Sequence, residues 1–108
     1  MDTMTDVEYI ARNTNELAVL IAFAEEANEL SKAAMKLARA KGLIENPTPI
    51  SIVEAEADLI EEYNDLLNCR SMLNKIAGLV IDEDFEIRTK KYGRWAERIK
   101  SRKEELEG

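Results

Sequence analysis

Two apolar series at helical spacing constrain the fold of this chain more than any other feature. Each series takes alternately every fourth and every third position, and each contains one charged residue. Such spacing marks the seam along which two helices pack on each other. The first seam consists of Val19, Phe23, Glu26, Leu30, Ala33 and Leu37. The second consists of Ala55, Leu59, Glu62, Leu66, Cys69, Leu73 and Ile76.

No stretch alternates apolar and polar residues as a strand does, so the chain is predicted to be all-α. Its 108 residues are expected to form one domain, 1–108. The fold expected is an antiparallel helical bundle of three main helices and a short N-terminal helix. Four helices are predicted, over residues 6–12, 15–41, 51–78 and 82–102, with a frayed tail after the last.

Local signals set these boundaries. Gly42 and Gly78 are typical helix ends. Ser51 with Glu54 forms a capping-box pattern at the start of the third helix. The segment Asn46-Pro47-Thr48-Pro49 is expected to be a stiff connector between the two long helices.

The 15–41 helix also carries a second apolar stripe, opposite its seam. A helix that is apolar on two sides must be covered on two sides. Three helices from one small chain do not suffice for this, so the bundle is expected to be completed by oligomerisation. The stripe consists of Leu17, Leu20, Ile21, Ala24, Met35 and Ala38.

Composition excludes several kinds of protein. The net charge of −7 opposes nucleic acid or an anionic membrane as a partner, and no apolar run is long enough to span a bilayer. The acidic start of the chain argues against a signal peptide, and a single cysteine fits a reducing cytoplasm. With no histidine, the Ser-His-Asp triad, the HExxH zinc site and the histidine-containing di-iron motif are all excluded.

Two pairs of acids mark the candidate site. Glu26 with Glu29, and Glu62 with Asp65, are each spaced i, i+3 and so share one helical face. In an antiparallel hairpin, Glu26 and Glu62 come roughly level, within about one helical turn. A buried unpaired carboxylate costs several kcal/mol, which a divalent cation would offset. The four acids are therefore predicted to form an oxygen-rich cage for a hard cation such as Mg²⁺.

Basic and amide side chains are the candidates for substrate binding. Lys91 and Arg94 continue to Arg98 in a basic stripe, and Lys36 lies on the same side of its helix as Glu29. Mg²⁺ together with lysine and arginine is the environment expected for a polyphosphate. Asn68 is a candidate hydrogen-bond partner for a base or sugar, with an exposed amide as the alternative.

Two further side chains invite a functional reading, and packing explains each of them better. Trp95 could stack on a nucleobase, but core or interface packing is favoured. Cys69 lies within the second seam, which favours a small buried hydrophobic residue over a nucleophile.

The acid motifs resemble those of a known family. Glu25-Glu26-Ala27-Asn28-Glu29 reads E-E-x-x-E and Glu61-Glu62-Tyr63-Asn64-Asp65 reads E-E-x-x-D. Both are similar to the motifs of the all-α nucleoside triphosphate pyrophosphohydrolases. That family includes MazG-like proteins, dimeric dUTPases, dCTP pyrophosphatases and phosphoribosyl-ATP pyrophosphatases. The resemblance covers about residues 15–100, and its specific part is the two motifs.

The resemblance implies that Glu26, Glu29, Glu62 and Asp65 hold Mg²⁺, with Mn²⁺ as the alternative ion. It implies cleavage of the α–β phosphate bond of a nucleoside triphosphate, giving a monophosphate and pyrophosphate. It also implies a homodimer or homotetramer whose sites combine helices from more than one chain. The competing hypothesis is a non-catalytic helical oligomerisation or regulatory module, in which the seam acids pair with lysines.

Overall fold

The computed structural model describes residues 4–42 and 50–107, and four α-helices form that part of the chain. The all-α prediction is therefore confirmed. The connector at 46–49 lies outside the described residues. The helices are α1 (Asp6–Arg12), α2 (Glu16–Ala40), α3 (Ile52–Ala77) and α4 (Phe85–Glu107).

Side chains at the helix starts account for the boundaries of α2 and α3. Asn15 begins α2, and its Oδ1 accepts a hydrogen bond of 2.9 Å from the backbone N–H of Ala18. Ser51 begins α3, and its Oγ accepts one of 3.1 Å from the backbone N–H of Glu54, as the capping pattern predicts. Both helices end before a glycine with positive φ, 71° at Gly42 and 66° at Gly78.

Thr5 caps α1, a contact that was not predicted from the sequence. Its Oγ1 accepts from the backbone N–H of Glu8 at 3.1 Å, while the Glu8 carboxylate accepts from the backbone N–H of Thr5 at 3.3 Å. This reciprocal capping box stabilises a helix of only seven residues.

The two long helices pack in antiparallel orientation through the predicted seams. Val19, near the start of α2, packs on Met72 and Leu73, near the end of α3. At the opposite ends, Lys36 Nζ lies 3.5 Å from the Asp58 carboxylate. Every seam residue is buried or half-buried, which confirms both series. Burying a leucine such as Leu73, which is 0% exposed, contributes about 1.5–3 kcal/mol.

The segment between α3 and α4 is tied back onto α3 by one amide. The Nδ2 of Asn74 donates to the Ile81 carbonyl at 3.1 Å, and the Ile81 N–H donates to Asn74 Oδ1 at 2.7 Å. The side chain thereby satisfies both backbone groups of Ile81, and Ile81 packs at the edge of the core. This double contact fixes the path of the chain as it leaves α3.

The last helix differs from its predicted bounds of 82–102 at both ends. It starts at Phe85 because Asp84 caps it, with Oδ1 accepting from the backbone N–H of Ile87 at 3.0 Å. It continues to Glu107 because the expected frayed tail consists of good helix formers such as lysine, glutamate and leucine.

Within the described residues, α4 packs against no other helix. The longest dimension of the molecule is 70 Å and its radius of gyration is 19.1 Å, against about 13 Å for a compact domain of this length. The bundle of a single chain therefore consists of α1, α2 and α3, and α4 projects from it.

Several apolar side chains are open in the single chain. Val7 and Ile10 of α1 are 52% and 48% exposed. The second stripe of α2 is also open, apart from the half-buried Ala38. Among the described helices, none combines the length and apolarity needed to cross a lipid bilayer.

Candidate metal centre

Three carboxylates from two helices converge at the middle of the α2–α3 pair. Glu26 comes from α2, and Glu62 and Asp65 come from successive turns of α3. Each residue offers a carboxylate oxygen, and the three oxygens all lie within 4.8 Å of one another. All three residues are half-buried. We call this group the acid cluster, and it confirms that the two motifs come level.

The surroundings of Glu62 disfavour the charged form of its carboxyl group. Partial burial raises the pKa of Glu62 above its ordinary value, and the negative charges of Asp65 and Glu26 raise it further. Glu29 and Glu61 add smaller contributions of the same sign. The folded chain therefore favours either a proton or a cation at this position.

The acid cluster fits a hard divalent cation in its donor chemistry. Mg²⁺ takes carboxylate oxygens at about 2.0–2.1 Å in octahedral geometry, so its ligands lie about 3–4 Å apart. The oxygens of the acid cluster, all within 4.8 Å of one another, lie close to that spacing. Glu26, Glu62 and Asp65 would hold the ion, with coordination positions left for water or phosphate.

Glu29, the fourth predicted ligand, stands apart from the other three. Its side chain is exposed, and its Oε1 lies 3.3 Å from Lys32 Nζ. It is nevertheless close enough to act on the charge of Glu62. An exposed ion pair of this kind is worth less than about 1 kcal/mol, so the Glu29 side chain can turn toward a bound cation at little cost.

The predicted substrate-binding residues are distributed over different parts of the molecule. Lys36 lies two to three turns along α2 from Glu26 and pairs with Asp58 on α3. Asn68 is exposed and lies one turn beyond Asp65. Lys91 and Arg94 belong to α4, so within one chain they do not meet the acid cluster.

The basic stripe of α4 lies beside exposed aromatic side chains. Lys91, Arg94 and Arg98 flank a shallow groove along the helix together with Tyr92 and Trp95. The rings of Tyr92 and Trp95 stack, with centroids 6.2 Å apart. Trp95 was expected to pack in a core or an interface, yet it is 56% exposed in the single chain, since α4 packs on no other helix in the described part of the chain.

An apolar cleft beside the acid cluster was not anticipated from the sequence. It lies between α1, α2 and α3 and has a volume of about 460 Å³. Its position could have been found from helical spacing, because Ala22 and Cys69 are each one helical turn from an acid of the cluster. The apolar and thiol lining includes Val7, Ile10, Val19, Ala22, Cys69 and Met72.

Cys69 lies in the second seam as expected, half-buried and on the wall of the cleft. Burial raises the pKa of the Cys69 thiol, and the nearby charges of Glu26 and Asp65 raise it further. A protonated thiol is a poor nucleophile, so the side chain behaves as a small apolar group.

Comparisons of this chain with protein-family models, curated proteins and solved structures found no match. The likeness to the all-α pyrophosphohydrolases therefore rests on the two acid motifs and on the geometry that brings them together.

Proposed function

We propose that this chain is an Mg²⁺-dependent nucleoside triphosphate pyrophosphohydrolase. The observation that carries the proposal is the acid cluster, in which Glu26, Glu62 and Asp65 offer oxygens within 4.8 Å of one another from two packed helices. A group of like charges at this spacing is costly without a cation. The family resemblance of the same residues supplies the reaction.

The reaction consumes one water and one nucleotide. Water oxygen attacks the α-phosphorus, the bond from that phosphorus to the α–β bridging oxygen breaks, and pyrophosphate leaves with the bonding electrons. When bound, Mg²⁺ supplies charge neutralisation at the phosphate oxygens. Glu26 or Glu29 accepts the proton of the attacking water, and the products are a nucleoside monophosphate and pyrophosphate.

Lys36 is placed to bind the phosphate chain from the same helix pair. Its present partner is Asp58, at 3.5 Å, and both side chains are about two-fifths exposed. Such a pair contributes less than about 1 kcal/mol, so a triphosphate competes for Lys36 without a large penalty.

A second copy of the chain would supply what one copy lacks. Lys91 and Arg94 lie on a helix that does not reach the acid cluster of its own chain. Residues 88–103 contain eight lysines and arginines and one glutamate, while the whole chain carries −7. The basic α4 is thus complementary in charge to the acidic remainder of a second copy, and the open apolar stripe of α2 offers a surface that a second copy could cover, which supports a homodimer or homotetramer. A cytoplasmic location fits the single free cysteine.

Product analysis tests the activity. We expect a panel of ribo- and deoxyribonucleoside triphosphates with Mg²⁺ to yield monophosphate and pyrophosphate, resolved by ³¹P NMR, from at least one substrate. Asp65→Asn should lower kcat/KM at least ~100-fold, since it removes a metal ligand. Glu56→Gln, which alters an exposed acid of the same helix outside the cluster, is the control. Release of inorganic phosphate and a nucleoside diphosphate instead would refute the proposal. So would the absence of any hydrolysis with every nucleotide tested.

The second candidate function is a non-catalytic oligomerisation or regulatory module. The observation in its favour is α4, whose aromatic and aliphatic side chains are exposed along its whole length. This function requires no cation at the acid cluster. It predicts that the chain assembles normally and that Mg²⁺ leaves its unfolding temperature unchanged.

A further inference from the structure

The cleft lies one helical turn from the acid cluster along both α2 and α3. Ala22 on the cleft wall precedes Glu26 by one turn of α2, and Cys69 follows Asp65 by one turn of α3. One turn is about 5.4 Å, which is the scale on which a sugar separates a phosphate from a base. A ligand with phosphates at the acid cluster would therefore place its next ring in the cleft.

The lining of the cleft is apolar where it is deepest. Val19 and Met72 are buried members of the core, and Ala22 and Cys69 are half-buried. Four lining side chains are polar, of which Asp6, Asn68 and Ser71 are exposed and Thr14 is half-buried. A volume of about 460 Å³ lies within the range of small-molecule sites, about 300–1,000 Å³.

We propose that this cleft binds the nucleobase and selects it by size and shape rather than by hydrogen bonding. The inference rests on the proposed function for the phosphate end of the same ligand. A planar, weakly hydrated ring replaces water over the apolar floor. The exposed amide of Asn68 keeps water as an alternative partner and therefore discriminates little between bases.

Shape selection has a measurable consequence for substrate range. Apolar pockets separate similar ligands by about 10–200-fold, whereas a pocket built on buried hydrogen bonds rejects the wrong ligand by about 10⁴–10⁵. We expect kcat/KM to vary by no more than about 100-fold among bases with the same number of rings. A spread of 10⁴ within the pyrimidines or within the purines would overturn shape selection.

Cys69 reports occupancy of the cleft without any need for catalysis. As the sole cysteine, it makes alkylation by iodoacetamide site-specific. In EDTA, uridine or adenosine should slow the alkylation of the intact chain, while ribose at the same concentration should not. Equal rates with nucleoside, ribose and buffer would overturn the proposal. Protection by a nucleoside in a chain that hydrolyses no nucleotide would support nucleobase binding in the cleft. It would refute only the pyrophosphohydrolase activity.

Narrowing the cleft tests its role in turnover. Ala22→Leu projects a larger side chain into the cleft and should raise KM about tenfold, equivalent to about 1.4 kcal/mol, with kcat within about twofold. Ala34→Leu makes the same change at an exposed position of α2 and should leave both constants unchanged. An equal effect of the two variants would contradict the proposal. Circular dichroism verifies folding, and the alkylation experiment decides the matter if Ala22→Leu does not fold.

Discussion

At the residue scale, Glu62 links packing to chemistry. It occupies a seam position where packing alone favours leucine, and its surroundings make ionisation costly. Partial burial is the main cause of its raised pKa, and the acids at 65, 26, 29 and 61 increase the effect. Its negative charge is unfavourable in the metal-free protein, and under the proposed function the same carboxylate would be a ligand of the cation.

The pH dependence of stability follows from that shift. Because folding raises the pKa of Glu62 above 4.5, the folded chain binds the proton more tightly than the unfolded chain. This contribution to the free energy of unfolding is greatest below about pH 4.5 and is lost as pH rises through the raised pKa. Glu62→Gln should remove this loss of stability with rising pH. At pH 7 without metal, the variant should be more stable than the wild type.

Urea unfolding from pH 4 to pH 8 checks this prediction. Glu56→Gln, at an exposed position of the same helix, is the control and should follow the wild type. An identical dependence of stability on pH for the wild type and Glu62→Gln would contradict a raised pKa of Glu62.

Cys69 gives a second prediction at the same scale. Burial and the charges of Glu26 and Asp65 raise its pKa, so its thiolate fraction at pH 8 is smaller than that of a free cysteine. Glu26→Gln removes one of those charges and should accelerate alkylation, while Glu25→Gln at the exposed neighbouring position should not. The measurement is the rate of iodoacetamide labelling, followed by mass spectrometry. An equal acceleration by both variants would contradict the specific effect of the Glu26 charge on Cys69.

The sequence predicted the acid cluster well but not its full surroundings. Spacing alone placed Glu26, Glu62 and Asp65 at one level, because an antiparallel pair with regular seams has a fixed register. It could not show that Glu29 turns to Lys32 or that Lys36 pairs with Asp58, since exposed side chains choose among partners of similar energy.

At the scale of elements, α2 and α3 were predictable because periodicity, caps and terminal glycines agree with one another. The start of α4 was less predictable, because Asp82, Glu83 and Asp84 all suit a helix N-terminus. The structure selects Asp84, whose carboxylate accepts from the backbone N–H of Ile87. The clamp from Asn74 to Ile81 joins residues seven apart across a helix end, which no local pattern reveals.

That clamp gives a prediction for element packing. Asn74→Ala would leave both backbone groups of Ile81 without their partner, and we expect a loss of about 1–3 kcal/mol in the free energy of unfolding. Hydrogen exchange at the Ile81 amide should accelerate as well. Asn64→Ala is the control, since its amide donates only to the carbonyl one turn earlier in its own helix and should change stability by less than about 0.5 kcal/mol. Equal losses from the two variants would refute a special role for the clamp.

At the scale of the whole molecule, α4 is the unexplained element of a single chain. A helix of 23 residues that packs on no other helix of the described residues is only marginally stable in water. Its apolar side chains recur at Phe85, Tyr92, Ile99 and Leu106, a spacing of seven that matches a helix-packing seam. A second copy would cover this face and bring the basic stripe toward acids.

Association should therefore depend on the exposed face of α4. We expect the mass from light scattering to exceed that of one chain at micromolar concentration, and Trp95→Ala to raise the dissociation constant at least ~10-fold. Lys90→Ala, on the opposite side of α4, is the control and should leave the dissociation constant within about twofold. A single-chain mass at all concentrations would contradict this account of α4.

The central claim is that acids from two helices form one Mg²⁺ site, and thermal unfolding with and without Mg²⁺ tests it most directly. The Tm of the wild type should rise with Mg²⁺ concentration, because a ligand of the folded state adds about 1.4 kcal/mol for each tenfold excess over its Kd. Glu62→Gln should begin at an equal or higher Tm without metal and show no rise. A rise of the same size in Glu62→Gln as in the wild type would contradict the claim.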